Sequence, residues 1–404
     1  MKNRIVSATL ARRNFLCSAS AFALAPSAFA TTAPAKVQFA YAATYTSAPD
    51  GSAHGEGIYL LAVNSQTSEL AQMRLVARTP NPSWISIHPS RKYLYTINEM
   101  TDANHSSVTA FSIDHASGNL TQLNSVSSEG AGPAHLSLDA QGKFAFVANY
   151  AGGTIAVLPI KSDGSLGEAV DVHRDTDELG SKQPTNGPRG NFSISGHDHP
   201  HAHMILPDPA GKFVLATDLA QDRLYVYKLD SETGKLTPAQ VPFVSLPTGD
   251  GPRHFVFHPN GRWFYLLEEE ASVVVFFHYD ASTGALASQQ TISALPPEFA
   301  GSNFASEIAV SPDGKFLYSA NRLHDSIAIF SIAGNGRLSH IGEVSTMGDY
   351  PRHFCFDPSG RYVYVCDQRS DCITTFAVNQ ATGMLTFTGK YIAIGSPNML
   401  AFMQ

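Results

Sequence analysis

Gly251–Glu270 reads GPRHFVFHPNGRWFYLLEEE, and Tyr350–Arg369 repeats it as YPRHFCFDPSGRYVYVCDQR. Each copy is a short apolar strand, a tight Asp/His-Pro-x-Gly-Arg turn, an aromatic-rich strand and a polar end. Two further copies keep the plan, GPAHLSLDAQGKFAFVANY from Gly132 and ASEIAVSPDGKFLYSANRL from Ala305. PSWISIHPSRKYLYTINEM from Pro82 and AHMILPDPAGKFVLATDLA from Ala202 are looser versions. A unit of roughly 45 to 55 residues built of strands alone is the mark of a β-propeller.

Outward from these hairpins, a third strand follows each polar end, as in SVTAFSI, TIAVLPI, RLYVYKL and SIAIFSI. A fourth comes after a Gly-x-Leu turn such as Gly118-Asn119-Leu120 or Gly383-Met384-Leu385. Four strands therefore make one blade. Val37–Tyr45 reads as a second strand without its first, and Ser396–Phe402 as a first strand without its second. One blade shared between the two ends would close the ring and remove its free edges. Six whole blades and the shared one predict an all-β, seven-bladed β-propeller of four-stranded antiparallel blades over residues 37–404. From about His173 to His203 the chain is rich in Gly, Pro, Asn and His, and this long loop is placed to lid the central opening.

The chain has 404 residues, a charged fraction of 15% and a formal charge of −7. No basic patch stands outside the first 30 residues, which excludes nucleic acid as a partner. Those residues hold Lys2, Arg4, Arg12 and Arg13 and no acid. Arg12-Arg13-Asn14-Phe15-Leu16 precedes a mild Ala/Ser-rich stretch ending in Ala28-Phe29-Ala30. Residues 1–30 thus read as an export signal of the twin-arginine type, and the mature protein is expected in the periplasm. The stretch is short and contains Pro26, so no membrane anchor is expected after its removal. A monomer is expected. Beyond Cys17 the cysteines are Cys355, Cys366 and Cys372. Cys366 and Cys372 flank a short turn and would bridge if they faced each other; three small buried hydrophobes is the simpler reading.

An antiparallel hairpin puts the start of its first strand and the end of its second at one rim. The starts carry Trp84, His135, His203, His254, Glu307 and His353. The exits carry Glu99, Tyr150, Leu219, Glu269, Arg322 and Gln368. Arg253 and Arg352 stand beside two of the histidines. First strands line a propeller's channel, so these side chains converge on one pocket. His197-Asp198-His199-Pro200-His201-Ala202-His203 would put alternate histidines on one face if extended. Pro200 and the lack of a matched carboxylate set argue against a metal there, so neither metal nor cofactor is expected. No Gly-x-Ser-x-Gly elbow and no nucleotide-binding glycine loop is present.

Several pieces now carry a resemblance: His201-Ala202-His203, Gly251-Pro252-Arg253-His254, the Glu269 exit, Ser306-Glu307 and Asn321-Arg322. With the repeats, they resemble the seven-bladed propeller lactonases, which include propeller-type 6-phosphogluconolactonases and fungal carboxymuconate lactonising enzymes. The resemblance spans the mature chain. It implies a lactone hydrolase whose catalytic residues are His203, Arg253, Glu269 and Arg322. His135, His201, His254, Glu307, Arg352 and His353 would bind a small lactone or carboxylate substrate. The arginines would hold an acid group or an oxyanion. Glu269 or His203 would act as general base, the glutamate's pKa raised among its acidic neighbours. Two alternatives remain: a muconate-type lactonising lyase or isomerase, and an exported propeller that only binds. Glu268-Glu269-Glu270 departs from the family's usual Asn-Glu, and an export signal is foreign to a cytosolic sugar-phosphate enzyme.

Overall fold

The Asp/His-Pro-x-Gly turn closes because its first side chain caps the backbone beyond it. Asp139 Oδ1 accepts the N–H groups of Lys143 and Phe144 at 2.7 Å each. Asp208 does the same for Lys212 and Phe213. Gly142, Gly211, Gly261, Gly314 and Gly360 then take φ between 66° and 72°, where a side chain is strained. In the loose Pro82 copy Arg91 occupies that place at φ 62°.

These hairpins build seven four-stranded antiparallel sheets. The computed structural model describes residues 38–403 except 49, 65, 66, 68, 175, 177 and 193–195. The export-signal reading of residues 1–30 lies outside the described residues. Blade 1 pairs Pro397–Phe402 with Gln38–Thr44, followed by Ile58–Val63 and Leu70–Ala77. The first strands of blades 2 to 7 are Pro82–Ile87, Pro133–Leu138, Ala202–Pro207, Pro252–Phe257, Ala305–Val310 and Pro351–Phe356. Each touches the next, and Pro397–Phe402 touches both Pro82–Ile87 and Pro351–Phe356, so the ring is closed. Among the described residues no helix is long and apolar enough to cross a membrane.

The core lies between blades. Leu215 and Val226 of blade 4 pack on Leu266, Val275 and Phe277 of blade 5, and each neighbouring pair repeats the arrangement. Second-strand tyrosines add a hydrogen bond across the same seam. Tyr41, Tyr95, Tyr265 and Tyr318 donate to the carbonyls of Gly118, Gly164, Gly336 and Gly383 in the following blade, at 2.7–3.0 Å. The Gly-x-Leu turns read from the sequence are therefore interblade acceptors.

One open alternative closes and one boundary moves. Cys366 pairs with Ile373 and Cys372 with Asp367, one register step apart. Side chains alternate faces along a strand, so the two thiols point to opposite sides and stay free and buried. The long loop begins later than read, because Asp171–Arg174 is the outer strand of blade 3. The rest runs along the rim of blades 4 to 6 through Gly180 N to Ala220 O, Asn186 N to Asp250 Oδ1 and Phe192 N to Ser302 Oγ.

Candidate active site

Every first strand carries an extra residue at its second position. The register shifts at Ser83, Ala134, His203, Arg253 and Arg352, across Ser306 and Glu307, and at Asn398. In a regular strand consecutive side chains face opposite ways; a bulge re-aims one of them. Arg253 and His254 thereby both reach the channel. The bulges also correct the alignment of the repeats. His203 stands in the column of Arg253 and Arg352, while Met204 matches His135, His254 and His353.

The bulge layer and the exit residues meet at Glu269. Its Oε2 lies 2.7 Å from Arg253 Nε and 2.8 Å from an Arg322 terminal nitrogen, and His203 Nε2 is 4.0 Å away. All four side chains are at most 6% exposed. Thr217 Oγ1 holds the Arg253 carbonyl at 2.8 Å, and the Arg253 guanidinium also donates to Ser306 O. Arg322 donates to Phe304 O, Ala305 O and the Tyr350 hydroxyl at 3.2–3.3 Å. Burial pulls the Arg253 guanidinium down to about 10, still charged at neutral pH. Burial, and then Arg253, hold the His203 imidazole well below its ordinary range, so it is neutral.

The acidic neighbours expected to act on Glu269 turn away from it. Glu268 is buried against Asp250, and Glu270 lies 3.9 Å from His197. What flanks Glu269 is guanidinium.

One residue further along the first strands is a second layer. Trp84 meets His135, His254 and His353 at ring distances of 4.5, 5.4 and 5.4 Å. Glu307 lies 3.3 Å from His254 and 3.7 Å from His353. Burial lowers the pKa of all three histidines and raises that of Glu307. Its histidines and Glu307 are buried, and the layer packs on itself, touching the Glu269 cluster where His254 meets His203 at a ring distance of 5.1 Å. His201 is outside the channel: Nδ1 faces Tyr150 O at 2.9 Å and Nε2 faces Asp198 at 2.8 Å.

A cleft of about 660 Å³ opens at the same rim, lined by Tyr45, Glu99, Tyr350, Arg352 and Arg369 among others. Tyr45 donates to Glu99 at 2.7 Å, and Arg352 reaches the other oxygen at 4.0 Å. Tyr350 links cleft to Glu269 through Arg322. Burial raises its pKa, but Arg322, Arg352 and Arg369 outweigh that and lower it. Tyr45 and Tyr350 escaped the sequence reading. Tyr45 is the exit residue of the shared blade. Tyr350 had a visible signal: it replaces the Gly132 and Gly251 of other blades at φ 64°, a conformation a tyrosine adopts only under constraint.

The family model of the seven-bladed β-propeller lactonases matches residues 39–402. This chain belongs to that family. The lactonase is 34% identical to the 6-phosphogluconolactonase of Bacillus subtilis over 90% of this chain and 98% of that one. It is 30% identical to the 6-phosphogluconolactonase of Formosa agariphila over 86% and 95%. Among solved structures, the periplasmic gluconolactonase PpgL of Pseudomonas aeruginosa superposes with a TM-score of 0.80. The two are 31% identical over 91% of this chain and 99% of that one. The protein is thus a lactone hydrolase; the lactonising and binding-only alternatives find no support among these relatives.

Proposed function

We propose that this lactonase hydrolyses a sugar-derived lactone after export, using His203 as general base beside a fixed Glu269. The observation that carries this reading is Glu269 gripped by Arg253 and Arg322 at 2.7 and 2.8 Å, with neutral His203 at 4.0 Å. A carboxylate in two ion pairs is a poor proton acceptor; an uncharged imidazole is a good one. His203 Nδ1 is sealed in the interior, so Nε2, on the Glu269 side, accepts the proton and Glu269 stabilises the imidazolium that forms. Water attacks the lactone carbonyl as its proton passes to His203. The oxyanion forms against the guanidiniums of Arg253 and Arg322. The ring C–O bond then breaks, and the leaving oxygen takes the proton back from His203. Arg352 and Arg369 in the cleft hold an anionic substituent. Export rests on the Arg12-Arg13 segment and agrees with a periplasmic relative.

The test is hydrolysis of glucono-1,5-lactone, its 6-phosphate and a muconolactone by the wild type, His203→Asn and Glu269→Gln. We expect turnover of a sugar lactone and losses of about 10²–10⁴ in kcat/KM in both variants. In the wild type kcat/KM should stay level down through pH 6.5, because the imidazole pKa is lowered. Arg369→Ala should raise KM for the phosphate alone. Full activity in His203→Asn would remove the base assignment, and turnover of the muconolactone alone would remove the substrate class.

A further inference from the structure

The four histidines of the 197–203 segment part company in the fold. His197 turns to Asp222 and Glu270, at 3.8 and 3.9 Å, and His203 to Glu269. His199 and His201 instead close on Asp198, with ring centroids 4.1 Å apart. His201 Nε2 is 2.8 Å from Asp198 Oδ1, and His199 Nδ1 is 3.0 Å from Oδ2. Among the described residues this is the grouping of His, Cys, Asp or Glu whose ligand atoms all lie within 4.8 Å.

The other nitrogen of each ring is committed. His201 Nδ1 lies 2.9 Å from Tyr150 O, and His199 Nε2 lies 2.9 Å from Ala151 O. A carbonyl only accepts, so those nitrogens carry the hydrogen. The nitrogens that face Asp198 are then the ones a metal would take, in exchange for the hydrogens they now give the carboxylate. Backbone carbonyls behind two imidazoles, fixing tautomer and orientation, are the outer shell that metal-binding histidines use. Gly196 keeps the approach open: a side chain there would meet His201 Nε2 at 2.7 Å. Ligand atoms about 3.4 Å apart surround a tetrahedral zinc with bonds near 2.1 Å, so opening the present distances by about half an ångström suffices.

We propose that Asp198, His199 and His201 form a three-ligand site for a divalent transition metal of the Zn²⁺ class. The carboxylate that the sequence pattern lacked is Asp198, brought in by the turn at Pro200 rather than by strand alternation. The metal pins the end of the long loop to the exit loop of blade 3. It also fixes the His201 ring, which stacks on Tyr150 at 4.2 Å; Tyr150 stands edge-on to His203 at 5.4 Å. Two imidazoles and one carboxylate leave coordination positions open to solvent.

The test titrates ZnCl2 into untagged, chelator-treated protein by calorimetry, with Co²⁺ absorption as a second readout. His199→Ala and Asp198→Asn are the variants, since Asp198 is exposed, His199 is half-buried and neither belongs to the hydrolytic machinery. We expect one Zn²⁺ per chain at micromolar affinity, Co²⁺ bands of low-symmetry coordination, and at least tenfold weaker binding in each variant. Metal-free melting temperatures should match the wild type. Absence of Zn²⁺ uptake, or variants that bind like the wild type, would overturn the site and leave Asp198 as a hydrogen-bond acceptor shared by the two rings.

Discussion

At the last position of the second strand, blades 2, 3 and 6 carry Asn98, Asn149 and Asn321, while blade 7 carries Asp367. Asn149 Nδ2 donates to Thr154 Oγ1, which donates to Glu129 O. In blade 7, Thr374 Oγ1 lies 2.9 Å from Thr346 O and 2.8 Å from Asp367 Oδ2. Thr374 has one hydroxyl hydrogen for both acceptors, so the buried Asp367 carboxyl receives only a shared hydrogen bond where the Asn of the other blades donates. Burial, opposed by its hydrogen bonds to Thr374 and Thr346, raises its pKa from 3.8 to about 7. A carboxyl raised on folding adds stability below its unfolded pKa and loses it as pH rises through the folded value. Asp367→Asn should therefore stabilise the protein at pH 8 by roughly 1 to 3 kcal/mol and do almost nothing at pH 4. Calorimetric melting at both pH values checks this; an equal effect at both would show that protonation is not involved.

Among elements, the interblade tyrosine is the repeat's own joint. Tyr265 is fully buried and its hydroxyl meets Gly336 O at 2.8 Å. Tyr265→Phe keeps the ring but leaves that carbonyl without its donor, and should cost about 1 to 2 kcal/mol in denaturant unfolding. No measurable change would mean that solvent satisfies Gly336. The joint also shows what was legible in the sequence. Period, turn residues and aromatic position named every blade, because a hairpin's apolar alternation and its Gly turn are local signals. The bulges were not legible. They displace one residue from the count, which is why His203 was aligned with His254 when it belongs with Arg253. Glu269, Arg253, Arg322 and His203 still come together as the rim reading expects, since a one-residue error keeps a side chain at the same rim. The direction of His201 was not legible for a different reason: side-chain direction in a loop has no period.

For the whole molecule the question is whether the ring unfolds as one body. Its closure depends on Pro397–Phe402, the innermost strand of blade 1, supplied from the far end of the chain. Asn398 Nδ2 donates to Ser83 O in blade 2 at 2.7 Å, and Leu400 packs with Leu61 and with Tyr364 of blade 7. The closing strand thus ties blades 7, 1 and 2, and its loss would open two seams at once. Leu400 is 1% exposed, so Leu400→Ala should cost about 2 to 5 kcal/mol by lost burial and residual cavity. If closure couples the blades, that cost falls on a single transition. The two tryptophans test it, because Trp84 belongs to blade 2 and Trp263 to blade 5. Trp84→Phe and Trp263→Phe backgrounds isolate one reporter each. Leu400→Ala should shift the denaturant midpoints of both reporters together, with unchanged slope. A Trp84 signal that moves ahead of Trp263 would show that the closing blade frays by itself, and that the core between blades, rather than the closed ring, holds the rest.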